Sequence, residues 1–141
     1  MQKLLHGWLL LVLILAGQPA QAQTQLAIVV SKNSHIQQLD AVALQAVFLG
    51  MITQDKNLRT LKPVDVVDET TRDFFYQQLV GRNRNQMRSY WSRMSFTGRG
   101  GPPQEMTVNE LIVALESNPL LIAYIPKDLV NDQLKILMFI P

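Results

Sequence analysis

The chain alternates short, continuous apolar runs with segments in which apolar residues recur at helical spacing. Continuous runs occupy Leu26–Val30, Leu120–Ile125 and Leu134–Ile140, and such runs are typical of buried strands. A further strand is predicted within Leu61–Val67. It should begin at or just after Pro63, because proline cannot donate a hydrogen bond to a neighbouring strand. The pattern therefore predicts four strands.

Helical spacing and helix end signals predict four helices. They are Ala41–Leu49, the segment between Thr70 and Gly81, Asn85–Met94 and Val108–Ser117. Asp40 is a good N-cap for the first helix. Thr70 with Asp73, and Thr107 with Glu110, have the three-residue spacing of a capping box. Thr70 and Thr107 are therefore the predicted N-caps of the second and fourth helices.

This order of elements, β-α-β-α-α-α-β-β, predicts an α/β fold. Two long segments, Thr53–Thr60 and Phe96–Pro103, are predicted to have no regular structure. We expect a compact single-domain sandwich with a small mixed sheet, formed by residues 23–141.

Residues 1–22 are predicted to be a secretory signal peptide. Lys3 precedes the apolar run Trp8–Ala16, and Ala20 and Ala22 supply the small residues of a cleavage site. The apolar run is too short for a comfortable membrane span, and an uncleaved anchor is the alternative interpretation. Cleavage after Ala22 exports the domain, so we expect a periplasmic protein without stable membrane insertion.

The composition excludes several classes of function. The chain has no cysteine, and His35 is the one histidine after the predicted signal peptide. Thiol chemistry and cysteine metal sites are therefore excluded, and we expect His35 to be a surface residue. The net charge of +2 is too small to indicate a nucleic-acid-binding protein. Nothing in the sequence implies a cofactor.

Four carboxylates, Asp65, Asp68, Glu69 and Asp73, cluster at the predicted junction between a strand and a helix. Paired carboxylates can act as acid and base or bind a divalent cation. However, the spacing of a calcium-binding loop is absent, and no nucleophile is paired with a base. We therefore expect neither a metal site nor an enzyme, and a hydrolase that uses Asp65 or Asp68 is the minor alternative.

Positive charge is concentrated in Arg82–Pro103, which holds five arginines and no acidic residue. Such a segment is either a solvated face or an anion site. By helical angle, Arg84 and Arg88 fall on one flank of the apolar stripe, and Arg93 lies on the other side. The arginines therefore do not converge on one point, and the helix is chiefly a scaffold.

Two other features favour an anion site. Thr70–Arg72 opens a helix directly after a strand, where free N–H groups, hydroxyls and a guanidinium can bind an oxyanion. Gly98–Gly100 is a glycine loop that can direct successive N–H groups towards an anion. Asp68 and Glu69 oppose the first site, because their carboxylates repel an anion at close range.

Several short segments in succession resemble one family of exported proteins. They are Val47-Phe48-Leu49-Gly50, Lys62-Pro63-Val64, Arg72-Asp73-Phe74-Phe75-Tyr76, Tyr90-Trp91, Phe96-Thr97-Gly98-Arg99-Gly100 with Pro102-Pro103, and Asn118-Pro119 through Ala123-Tyr124-Ile125-Pro126. In this combination, from about Leu26 to Pro126, the chain resembles small exported proteins related to phosphate-transporter substrate-binding proteins. The resemblance implies a reduced type II periplasmic binding fold.

The resemblance also implies a periplasmic solute-binding module, associated with transport, whose ligand is phosphate or another small oxyanion. The predicted ligand-binding residues are Thr70, Thr71, Arg72, Ser31, Gly98, Arg99 and Gly100. The sequence departs from the family pattern: Glu69-Thr70-Thr71 replaces a glycine–serine–glycine–threonine loop, and Ala123 stands where family members have glycine. The chain is also too short for two full lobes. The alternative function is a ligand-free accessory module that presents its arginines to a membrane-bound sensor or transporter component.

Overall fold

The computed structural model describes residues 25–51 and 55–141, so the predicted signal peptide lies outside the described residues. These residues form one five-stranded mixed sheet and five helices, which confirms the predicted α/β class. In chain order the elements are β1 (Leu26–Ser31), α1 (Ala41–Phe48), α2 (Lys56–Arg59), β2 (Lys62–Val66), α3 (Glu69–Val80), α4 (Arg84–Phe96), β3 (Gln104–Met106), α5 (Val108–Ser117), β4 (Leu121–Pro126), a 3-10 turn (Lys127–Leu129) and β5 (Leu134–Ile140). In these two ranges, no helix has the length and apolar character to cross a membrane.

The strand directions determine which ends of the strands meet. The strand order is β3-β2-β4-β1-β5. β2 runs parallel to both β3 and β4, since Val64 pairs with Gln104 on one side and Ala123 on the other. β1 runs antiparallel to β4 and β5. The carboxyl ends of β2, β3 and β4 therefore meet at one edge of the sheet, and β1 ends at the opposite edge.

Helices cover both faces of the sheet. From β2 the chain passes through α3 and α4 to the outer strand β3, and it returns through α5 to β4 on the other side of β2. Right-handed crossovers that run in opposite directions leave their helices on opposite faces. We therefore assign α3 and α4 to one face and α5 to the other.

A cluster of buried aromatic rings fixes α3 against the sheet. The ring of Phe75 in α3 stacks on that of Tyr124 in β4, with 3.8 Å between centroids and 12° between planes. The same Phe75 ring meets the Phe48 ring edge-on at 4.8 Å, and all three side chains are fully buried. Offset or edge-on ring pairs add to the gain from burial. The cluster therefore joins α1, α3 and β4.

Most predicted elements are present, and the differences have local causes. β5 and α5 have the predicted bounds. β2 begins at Lys62, before Pro63 rather than at or after it, because the N–H of Lys62 already donates to the Leu120 carbonyl at 2.8 Å. α2 and β3 were predicted as neither helix nor strand. β3 has three residues, and only its pairing with β2 defines it.

The predicted N-cap of α3 is wrong. The helix begins at Glu69, and Asp68 is the N-cap, with its carboxylate accepting the N–H of Thr71 at 2.8 Å. An aspartate in this position both accepts the hydrogen bond and complements the positive end of the helix dipole. Hydrogen bonds from the Thr71 side chain and backbone hold the pKa of Asp68 below its usual range. Thr70 is therefore a residue of the first helical turn.

Substitutions at these two positions test the corrected cap. Asp68→Ala should lower the free energy of unfolding by about 1 kcal/mol, because it removes the acceptor of the Thr71 N–H. Thr70→Ala should change it by less than about 0.5 kcal/mol, as expected for an exposed position outside the cap. Urea denaturation of both variants measures the difference. A larger loss for Thr70→Ala than for Asp68→Ala would restore the original assignment.

Candidate functional site

A cavity of about 410 Å³ lies between the carboxyl ends of β2 and β3 and the helices α3 and α4. Its charged lining residues are Asp65, Glu69, Asp73 and Glu105, together with Arg72, Arg84 and Arg88. Asp65 and Glu105 are neighbours because β2 and β3 are parallel and pair at these residues. Ligands of open α/β sheets bind at the carboxyl ends of strands. We call this cavity, which α4 lines from Arg84 to Ser95, the α4 pocket.

Asp65 is buried and forms part of the wall of the α4 pocket. The residue is 3% exposed, and both carboxylate oxygens accept the hydroxyl of Tyr76 at 3.0 Å. The Tyr124 hydroxyl donates to one of the same oxygens at 2.9 Å. Burial raises the pKa of Asp65 to about 6, although the two tyrosine hydroxyls and the charge of Arg72 act in the opposite direction. The carboxyl group is therefore held rigidly and has lost much of its hydration.

Arg72 lines the α4 pocket but is bound to other groups of the protein. One guanidinium nitrogen lies 2.6 Å from the carboxylate of Glu105 and donates to the Val66 carbonyl at 3.2 Å. The other terminal nitrogen lies 3.9 Å from Glu69. The side chain is only 18% exposed. These contacts fix the guanidinium at the pocket wall and neutralise part of its charge.

Arg84 is paired in a similar way. Its guanidinium lies 2.7 Å from Glu69 and 2.6 Å from Asp73, and it donates two hydrogen bonds to one oxygen of Asp73. The hydrogen bond with Asp73 is the main reason why the pKa of Arg84 is raised. This network links the first turn of α4 to α3. An anion that approaches Arg84 must therefore compete with two carboxylates.

Arg88, unlike Arg72 and Arg84, has a guanidinium that is not paired with a carboxylate. It is exposed, and it has neither an ion pair nor a hydrogen bond with any residue of 25–51 or 55–141. Ser92 and Ser95 line the same pocket one and two turns further along α4. Residues four apart on a helix share a flank. One flank of α4 therefore presents a free guanidinium and the hydroxyl of Ser92 to the cavity, whereas the Ser95 hydroxyl already donates to the Gly100 carbonyl at 3.2 Å.

Of the seven predicted ligand residues, all within the described ranges, Arg72 alone lines the α4 pocket. Thr70 and Thr71 lie in the first turn of α3, but the N–H of Thr71 is bound to the Asp68 carboxylate. The protein thus supplies its own negative group to this helix N-terminus. The same carboxylate repels a second anion at the same place.

The glycine loop uses two of its backbone donors within α4. The N–H of Gly98 donates to the Ser95 carbonyl at 3.1 Å, and the N–H of Arg99 donates to the Met94 carbonyl at 2.9 Å. Gly98 has φ 69° and Gly100 has φ 121°, so the predicted positive-φ geometry is present. However, the loop ends the helix with these donors, and they are not directed together towards one anion.

Ser31 lies away from the other predicted residues. It ends β1, which is antiparallel to β4, so it lies at the sheet edge opposite to the carboxyl end of β2. The residue is 1% exposed, and its hydroxyl oxygen accepts the N–H of Asn33 at 3.2 Å. Ser31 therefore cannot contact a ligand in the α4 pocket.

Among the lining residues that the prediction did not include are Arg84, Arg88, Ser92, Ser95 and Glu105. The four residues of α4 had a signal in the sequence, because they recur at intervals of four, four and three residues. Glu105 had none, since only the pairing of β3 with β2 brings it to the cavity. In the described ranges, no group of three or more His, Asp or Glu side chains is arranged to hold a metal ion.

Two solved structures share this fold. An ABC-type phosphate transport receptor from Vibrio cholerae superposes with a TM-score of 0.60 at 17% identity, over 82% of this chain and 50% of the receptor. A protein from Clostridium perfringens, assigned as a phosphate ABC transporter substrate-binding protein and solved with bound phosphate, gives a TM-score of 0.61 at 20% identity, over 79% and 43%. This chain spans about half of their length.

The chain therefore has the fold of phosphate ABC transporter substrate-binding proteins, which confirms the predicted resemblance at the level of the fold. No protein-family model matches the sequence, and no curated protein matches it.

Proposed function

We propose that this protein is a non-catalytic, periplasmic solute-binding module that binds phosphate or another small oxyanion and acts with an ABC transporter. The proposal depends on one observation: the unpaired guanidinium of Arg88 lines a cavity at the carboxyl ends of β2 and β3. The fold shared with phosphate-binding transport proteins supports it.

Arg88 is the principal anion contact in this proposal. A guanidinium binds an oxyanion through two parallel N–H groups, and such charge-assisted hydrogen bonds are the strong ones. Arg88 has no competing carboxylate among the described residues, whereas Arg72 and Arg84 are held by Glu105 and Asp73. The paired guanidiniums form a fixed polar wall, and Arg88 provides the free positive charge.

Phosphate should stabilise the protein, and the effect should depend on Arg88. At a phosphate concentration one hundred times the dissociation constant, the expected gain is about 2.7 kcal/mol, or roughly 10 °C in melting temperature. Arg88→Ala should abolish this shift because it removes the free guanidinium. Thermal unfolding with and without millimolar phosphate is the measurement.

Arg93→Ala is the matched control, because Arg93 is an exposed arginine of the same helix that does not line the α4 pocket. This variant should respond to phosphate as the wild type does. If the wild type shows no shift at millimolar phosphate, or if Arg93→Ala loses the shift as completely as Arg88→Ala, the proposed site is wrong.

A ligand-free accessory module is the second candidate. Phe96, at the end of α4, is 94% exposed, and the neighbouring Arg93 and Arg99 have no ion pair with any described residue. Aromatic and arginine side chains are enriched at protein interfaces. This candidate predicts no phosphate-dependent shift in the wild type, so the same experiment distinguishes the two functions.

A further inference from the structure

The α4 pocket is larger than a bare oxyanion requires. Its lining on α4 extends from Arg84 to Ser95, which is about 16 Å at the rise of an α-helix. A volume of about 410 Å³ falls within the range of sites that hold organic ligands. A tetrahedral oxyanion on Arg88 would fill one part of this groove and leave the remainder to water.

The remainder of the groove has an apolar wall. Met87 and Trp91 lie on either side of Arg88 along α4, and Pro102, in the loop before β3, lines the same cavity. Trp91 is half-buried, so part of its ring is still available for contact. Aromatic rings next to a few placed polar groups are typical of sites for small organic molecules.

The charges restrict where the anionic group of a ligand can lie. Glu69 and Asp73 flank Arg84 at one end of the groove, and Glu105 binds Arg72 beside it. A free anion is repelled from that end by the three carboxylates. Arg88 lies between that end and Trp91, so an anion bound there has charged groups on one side and an aromatic ring on the other.

We propose that the ligand of the α4 pocket is a phosphate monoester of a small organic molecule. Its phosphoryl group binds Arg88 and the hydroxyl of Ser92, and its organic part packs on Trp91 and Pro102. This inference rests on the proposed anion binding and adds the class of ligand. No covalent step is involved, because the monoester is bound and released unchanged.

Titration calorimetry of the full chain with inorganic phosphate, phenyl phosphate and phenol tests the inference. Phenyl phosphate should bind at least about tenfold more tightly than inorganic phosphate, the gain expected from removing roughly 50–60 Å² of apolar surface from water. Trp91→Leu should remove this advantage, so that phenyl phosphate binds no more tightly than inorganic phosphate does. Trp91→Tyr should restore most of it, because a ring is present again.

Pro102→Ala gives a second test that does not depend on a half-buried side chain, since Pro102 is exposed. It should weaken the binding of phenyl phosphate more than the binding of inorganic phosphate. Equal affinity for the two phosphates in the wild type would overturn the inference and leave the proposed oxyanion binding intact. Binding of neither phosphate would overturn both proposals. Binding of phenol as tight as that of phenyl phosphate would overturn the inference, because the phosphoryl group would then contribute nothing.

Discussion

Phe75→Ala should lower the free energy of unfolding by about 3–5 kcal/mol, the range for deleting a fully buried phenylalanine ring. Phe75 is 0% exposed and contacts three aromatic rings: Tyr124 at 3.8 Å, Phe48 at 4.8 Å and Tyr76 at 5.1 Å between centroids. Its removal leaves a cavity at the point where α3 meets the sheet. A loss of this size is a large part of the total stability of a small domain, which is roughly 5–15 kcal/mol.

The measurement is urea denaturation of the wild type and the variant, with the slope compared to confirm two-state unfolding. Val113→Ala is the control, because this apolar residue of α5 is 66% exposed and should change the stability by less than about 0.5 kcal/mol. A loss below about 1 kcal/mol for Phe75→Ala would contradict the described aromatic packing.

The strands of this fold could be predicted wherever a buried strand is a continuous run of apolar residues. β1 and β4 are continuous apolar runs that are buried at every residue except the last one of β4, and the structure has both within one residue of their predicted bounds. β3 could not be predicted, because Gln104–Met106 has no apolar run and becomes a strand through its pairing with β2. The missed strand matters, since it brings Glu105 next to Asp65.

The site was less predictable than the fold because it depends on strand direction and on competition between neighbouring side chains. Ser31 and Thr70 both follow a predicted strand in the sequence, but β1 runs opposite to β2 and β4, so the two residues lie at opposite edges of the sheet. Aspartate and threonine are both favoured N-cap residues, and Asp68 rather than Thr70 is the N-cap of α3. The flank of Arg84 and Arg88 was visible from helical spacing alone, and only the tertiary structure shows that it faces a cavity.

Asp65 should make the protein less stable as pH rises from about 4 to about 6.5. The folded protein holds the proton on Asp65 up to its raised pKa of about 6, whereas the unfolded chain releases it near the ordinary value of 3.8. The folded state therefore binds more protons throughout this interval, and the free energy of unfolding falls with rising pH. The full effect is roughly 3 kcal/mol for a shift of this size.

The pKa of Asp65 depends on the groups that surround its carboxylate. Tyr76 and Tyr124 donate hydrogen bonds to it, Arg72 favours its ionised form and Glu105 opposes it, but burial is the largest influence. Neither hydroxyl titrates in this interval, because burial raises the pKa of both tyrosines further above their usual value. Asp65→Asn removes the titrating proton and keeps an oxygen acceptor for the tyrosines.

Urea denaturation from pH 3.5 to pH 7.5 should therefore show the wild type losing roughly 3 kcal/mol relative to Asp65→Asn between about pH 4 and pH 6.5. Asp68→Asn is the control, and its stability profile should run parallel to that of the wild type between about pH 4 and pH 6.5. The pKa of Asp68 is lowered, so its contribution is present above the unfolded pKa and is lost as pH falls, outside the interval in which Asp65 acts. Parallel stability profiles for the wild type and Asp65→Asn over the whole range would show that Asp65 titrates as an exposed carboxylate, contrary to its burial between the two tyrosines at the wall of the α4 pocket.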